Sequence, residues 1–188
     1  MILRSMCIVS FLNVAISCSI NAMDQSIGQD VDVGYYCSEI DRILACDNGC
    51  INALCDNGNT MLHEAVLKGI DGIVLHLLKH KANVNVRNKK GNSPLHYAVW
   101  KGHLKIAGLL LQHKASVNIQ DNDNFTALHI AVRLKNRAMI DLLLTWGANS
   151  NIKNNHGYTA LEEAQLLDDV AVVQLLQERQ RKVIFIEL

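Results

Sequence analysis

The sequence predicts an all-α repeat solenoid, a stack of helix-turn-helix units. Three observations predict it. First, four segments align without a gap at a 33-residue period: NTMLHEAVLKG (59–69), NSPLHYAVWKG (92–102), FTALHIAVRLK (125–135) and YTALEEAQLLD (158–168). A fixed period of this length is the mark of a repeat architecture. Second, each segment has helical spacing and is followed by another apolar run with helical spacing, so each unit holds two helices. Third, Gly58, Gly91 and Gly157 hold one column between units, where a tight turn needs a positive φ. The chain has 188 residues, 49% hydrophobic and 19% charged, with one proline. That suits a folded unit with a real core.

The N-terminal stretch differs from the repeats. Met1–Met6 carries one charge, Arg4; Cys7–Ser17 is mostly apolar and uncharged; small residues follow, and the first acid is Asp24. A basic start, a short apolar run and a small-residue exit predict a secretory signal over 1–22. The run is too short to span a bilayer comfortably. Ala15-Ile16-Ser17-Cys18 is loosely similar to a lipoprotein box but lacks its usual Leu, so a lipid anchor at Cys18 and a buried hydrophobic N-terminal helix are the alternatives to simple export.

Residues 23–55 hold Cys37, Cys46, Cys50 and Cys55, all the cysteines that follow the signal. An even, clustered set behind an export signal predicts one or two disulfides, whose pairing the spacing leaves open. Reduced thiols or a zinc site are the alternatives; no Cys-x-x-Cys pair and no histidine lies among them. Residues 36–52 continue the repeat register, with Ile40, Leu44, Gly49 and Asn52 aligning to Ile73, Leu77, Ala82 and Asn85. A lone helix from Tyr36 to Ala45 is therefore expected to cap the stack, because a terminal repeat would otherwise expose apolar surface.

The repeats run over 56–87, 88–120, 121–153 and 154–182. Thr60, Ser93, Thr126 and Thr159 precede each first helix, where a hydroxyl caps free N–H groups. Leu62, Leu95, Leu128 and Leu161 share a helical face with Ala65, Ala98, Ala131 and Ala164. The second helices present Ile73, Val74, Leu77 and Leu78, then Ile106, Ala107, Leu110 and Leu111, then Met139, Ile140, Leu143 and Leu144, then Val172, Val173, Leu175 and Leu176. Asn124 stands in the Gly column of repeat three, and Asn tolerates the left-handed region. Trp146 is expected to pack between helices. Repeat four turns polar from Gln174 to Arg181, as a terminal cap requires. The tail 183–188 opens with the β-prone run Val183-Ile184-Phe185-Ile186, which would fold back on repeat four or meet a partner.

The T-P-L-H-x-A pattern, nearest in Gly91-Asn92-Ser93-Pro94-Leu95-His96-Tyr97-Ala98, resembles the ankyrin-repeat family over residues 56–180. The resemblance implies an ankyrin stack with β-turn fingers. It also makes His63, His96 and His129 structural, each tying its turn to the neighbouring repeat. The family's contact columns fall on the fingers and the inner helix face. The residues they select for partner binding are Arg87, Lys89, Lys90, Trp100, Lys101, Phe125, Arg133, Lys153 and Tyr158. Aromatic anchors among cations fit an acidic segment of a protein partner. The implied protein is a monomeric, non-catalytic interaction module. The alternative is a structural or inhibitory subunit of one resident exported enzyme.

Other classes find little support. Lys plus Arg equals Asp plus Glu, 18 each, so the chain has no overall electrostatic footprint for nucleic acid. No Ser/His/Asp order, phosphate-cradling loop or paired carboxylates stand out. Glu162-Glu163 and Asp168-Asp169 read as solvated helix positions. No cofactor is implied. His76 and His80 lie one helical turn apart, a spacing that can hold a metal, but the sequence fixes no acid or cysteine beside them, so no metal site is expected.

Overall fold

The computed structural model describes Gly34, Cys37, Ser38 and Asp41, then residues 50–186 except Asp56; the side chains of Cys50 and of 180–186 lie outside this set. The expected signal at 1–22, the Cys18 anchor, Cys46, and the cap residues Ile40, Leu44 and Gly49 lie outside the described residues.

Each repeat is a pair of antiparallel helices: α1 (Met61–Lys68) and α2 (Asp71–Lys79), α3 (Pro94–Lys101) and α4 (Leu104–Gln112), α5 (Ala127–Arg133) and α6 (Arg137–Thr145), and α7 (Ala160–Leu166) and α8 (Val170–Ile186). The first helices pack side by side in an inner row, and the second helices form a looser outer row. Among the described residues the only β pairing is one isolated bridge, Gln120 with Thr126.

The core is one continuous cluster running through all four repeats. Leu62, Leu95 and Leu128 are sealed, and the alanines at 65, 98, 131 and 164 have no accessible surface. A larger side chain there would push neighbouring inner helices apart. The outer helices bury the faces their periodicity marks, down to Val172 and Leu176 in repeat four.

The inner helices all begin alike. Thr60, Ser93, Thr126 and Thr159 are extended N-caps in reciprocal capping boxes with the residue three positions on. That residue is His63, His96 or His129 in the first three repeats and Glu162 in the fourth. Pro94 sits in the first turn of α3, where its missing N–H costs nothing. The finger turns take positive φ at Gly58 (78°), Gly91 (78°), Asn124 (61°) and Gly157 (81°).

The cap register is visible in one bond. Asn85 and Asn118 each accept, through Oδ1, a backbone N–H 31 residues ahead, from Ser116 and Asn149 at 2.8 Å. Asn52 does the same to Asn83 at 2.7 Å. The half repeat before repeat one therefore engages it as one repeat engages the next. Cys37, Ser38 and Asp41, within the span expected for the cap helix, are helical, and so is Gly34, which precedes that span.

The apolar tail run is helical, with α8 continuing through it to Ile186. Two expectations need correction. Trp146 does not pack between helices: it is the C-cap of α6 and is 43% exposed. The acidic pairs are not simply solvated. Glu162 and Asp169 cap helices through bonds to the Thr159 and Val172 amides, and the Glu163 side chain is only 12% exposed.

Candidate functional site: the cleft between repeats two and three

The inner row and the fingers enclose a cleft of about 460 Å³ between repeats two and three. Helix α3 supplies Tyr97 and Trp100, and α5 with its C-cap supplies Ile130, Arg133 and Leu134. The second finger supplies Lys90 and Asn92; the third supplies Asp121, Asp123 and Phe125.

The fingers hold shape through an Asx turn repeated at 33-residue spacing. Asn88 Oδ1 accepts from the Lys90 and Asn92 amides. Asp121 Oδ1 accepts from Asp123 and Phe125, and Asn154 Oδ1 from His156 and Tyr158. Adjacent fingers are tied by Asn122 N–H to Lys90 O and Asn155 N–H to Asp123 O, both at 3.1 Å. This column was not read from the sequence, although its periodicity was there: residues 88, 121 and 154 are Asn, Asp and Asn. These residue types favour turns because the side-chain oxygen satisfies amides two residues on.

The histidines fix each finger to the next repeat. His63 Nδ1 accepts the Thr60 N–H at 3.1 Å, so Nε2 carries the proton and donates to Asn92 O at 3.1 Å. His96 joins Ser93 to Phe125 O, and His129 joins Thr126 to Tyr158 O, with the same geometry. Burial holds all three below the usual imidazole range, against the raising effect of the carbonyls they bond. In this geometry each is a neutral imidazole that bridges its own helix cap and the next finger.

The structure sorts the nine expected contact residues into three kinds. Trp100 stands at the cleft rim, 56% exposed, with Lys101 Nζ 5.1 Å from its ring centroid. Tyr158 is also exposed, in the fourth finger. Lys89, Lys90, Lys101, Arg133 and Lys153 are exposed cations of the fingers and inner helices. Phe125 is different: it is 7% exposed and forms the cleft floor, edge-on to His129 and beneath the Arg133 guanidinium, which lies 5.2 Å from its ring. Arg87 is different too, since it braces the fingers by donating to Gly91 O at 3.0 Å and Asn122 Oδ1 at 3.3 Å. Trp100, Phe125, Arg133 and Lys90 therefore share one cleft, while Lys153 and Tyr158 lie one finger away.

Glu163 is the residue that sequence reasoning misplaced most. Its Oε1 lies 3.7 Å from Arg133 Nε, and its Oε2 is buried with no hydrogen-bond partner. Desolvation pushes its carboxyl above the ordinary value, opposed by Arg133 and His156. It steadies Arg133 at the cleft edge, where a half-buried acid is a stronger partner than a solvated one.

This architecture defines a class: a helical repeat scaffold whose inner face carries a cleft of aromatic and basic side chains. Two family models match the chain, ankyrin repeats (3 copies) over residues 33–121 and ankyrin repeats (many copies) over 110–164. Together they span more than two thirds of the sequence, and the chain belongs to the ankyrin-repeat family. That family is generally non-catalytic, and its repeats form protein–protein interaction modules. No curated protein matches the chain. Among the described residues no helix is long and apolar enough to cross a membrane.

Proposed function

We propose that the chain is an exported, non-catalytic module that binds an acidic protein segment across the cleft between repeats two and three. The observation that carries this reading is Trp100: a large aromatic ring, more than half exposed, at the mouth of a preformed cleft and beside cations. Exposed aromatics in rigid settings are typical interface anchors. The cleft also holds two acids, but Asp121 is occupied by its own finger's amides. Asp123 Oδ1 accepts from the Asn155 side-chain Nδ2 at 3.4 Å. The exposed cations at 89, 90, 101, 133 and 153 set the sign a partner meets.

Export rests on the residue pattern of 1–22, and Cys37, Cys46, Cys50 and Cys55 fit a cap strengthened by oxidation after export. The four thiols allow one or two disulfides, and the pairing stays open. Mass spectrometry of the exported, non-reduced protein tests both parts: a new N-terminus near residue 23 and the loss of two protons per disulfide are expected. An intact N-terminus and free thiols throughout would contradict them.

Charge reversal tests the acidic partner. With a partner captured from the native compartment, Lys89→Glu/Lys90→Glu is expected to slow association at low salt and flatten its salt dependence. Unchanged association would mean that the cations only solvate the fingers.

A further inference from the structure

The outer face of repeat one carries a second constellation, which the interaction module does not use. His76 and His80 lie at i and i+4 on α2 and its C-cap, so their rings share one face. The rings are 4.7 Å apart between centroids. The sequence fixes no acid beside them, but the fold does: Asp41, 35 residues before His76, reaches across from the cap helix. Its Oδ1 lies 2.7 Å from His76 Nε2 and 3.1 Å from His80 Nε2. One oxygen and two imidazole nitrogens from two segments thus converge, all within 4.8 Å of one another.

We propose that Asp41, His76 and His80 form a binding site for a divalent transition-metal ion, zinc foremost, that clamps the N-terminal cap helix onto the first repeat. The donor set is the kind zinc takes, two imidazoles and a carboxylate, with the fourth position left to water. A tetrahedral zinc with bonds of about 2.0–2.2 Å keeps its ligand atoms roughly 3.3 Å apart. To reach that spacing the 2.7 Å contact needs to open by about 0.6 Å and the 3.1 Å contact by about 0.2 Å. The His80 and Asp41 side chains are 42% and 50% exposed, so an ion can enter and a water can complete its shell. The hard part of building a metal site, bringing ligands from distant segments to one point, is already achieved by the fold. An ion bound there binds the capped state and not the unfolded chain, so it adds to stability by mass action.

The test uses the full chain, reduced and stripped of metal with EDTA, titrated with Co²⁺ and then Zn²⁺. One Co²⁺ per chain is expected, with visible ligand-field bands, no thiolate-to-cobalt charge-transfer band, and displacement by Zn²⁺. Zn²⁺ should raise the melting temperature. Removing a partner that merely orients a metal ligand costs on the order of 10–100-fold in affinity, so His76→Gln and His80→Gln should each weaken Co²⁺ binding by about 100-fold or more. Asp41→Asn should also weaken it, and His113→Gln, on the exposed end of α4, should leave it unchanged. Circular dichroism in EDTA checks that each variant is folded, and the wild-type spectrum alone reports the ligand type. No uptake at about 100-fold molar excess, a thiolate band, or a folded His80→Gln that binds like wild type would each overturn the proposal.

Discussion

At the scale of the residue, the histidine column shows why one side chain recurs and why it stops. A neutral imidazole has two ends, an acceptor at Nδ1 for its own helix cap and a donor at Nε2 for the next repeat's carbonyl. Glu162 accepts the Thr159 N–H at 2.7 Å and closes the cap, but a carboxylate has no donor for a following repeat's carbonyl. The same chemistry sets a pH dependence. The three histidines titrate below their ordinary value when folded, so below about pH 6.5 the unfolded chain binds protons that the folded chain refuses. Stability is therefore full above that pH and falls as pH drops towards the lower folded values. Thermal unfolding between pH 7.5 and 5 should show the melting temperature fall, with a smaller fall in His96→Asn. A flat profile would mean that the histidines accept protons in place. Glu162 has the opposite kind of charge: hydrogen bonds to Thr159 lower its carboxyl. Its contribution is present above about pH 4.5 and is lost as pH falls below it.

At the scale of the element, the finger turns separate two costs that a glycine can hide. Gly91 and Gly157 have nearly the same φ, 78° and 81°. A Cβ on Gly91 would stand 2.6 Å from the Asn122 backbone nitrogen, whereas one on Gly157 meets nothing within 4 Å. Gly157→Ala should therefore cost only the left-handed conformation, about 1–2 kcal/mol. Gly91→Ala should cost clearly more, because two fingers must move apart. Equal losses by chemical denaturation would contradict the finger contact. The φ requirement was legible in the sequence as a glycine column, and so was the tolerance of Asn124. The contact was not, because it joins residues from successive repeats whose spacing depends on the stack. The left-handed positions Lys81, Lys114, Lys135 and Asp168 were equally hidden, since nothing in a lysine or aspartate announces a positive φ. Lys114→Gly should relieve about 1–2 kcal/mol of strain while adding about 0.4–1 kcal/mol of unfolded-chain entropy, for a small net gain in stability.

At the scale of the molecule, the stack is a one-dimensional chain of interfaces, each repeat depending on its neighbours. Leu95 lies in the middle of it, 1% exposed; Leu95→Ala should cost about 2–5 kcal/mol, and an unchanged melting temperature would contradict the packing register. The fold was legible because its determinants repeat: a leucine, alanine or threonine that returns every 33 residues reads as a column. The candidate site was legible only in part. Trp100 and the lysines stand out where the family columns place them, but Phe125 had to be seen packed under Arg133 to be read as floor. Glu163 and Asp41 had to be seen beside their partners, because each gains its role from a residue in another repeat or segment. The central claim is that the cleft around Trp100 is the surface a protein partner occupies. Affinity capture from the native compartment with wild type and Trp100→Ala side by side tests it most directly. A partner retained by wild type and weakened by about 2 kcal/mol or more in the variant, with melting temperature unchanged, is the predicted result. Equal retention by both proteins, or loss of binding only alongside loss of stability, would contradict it.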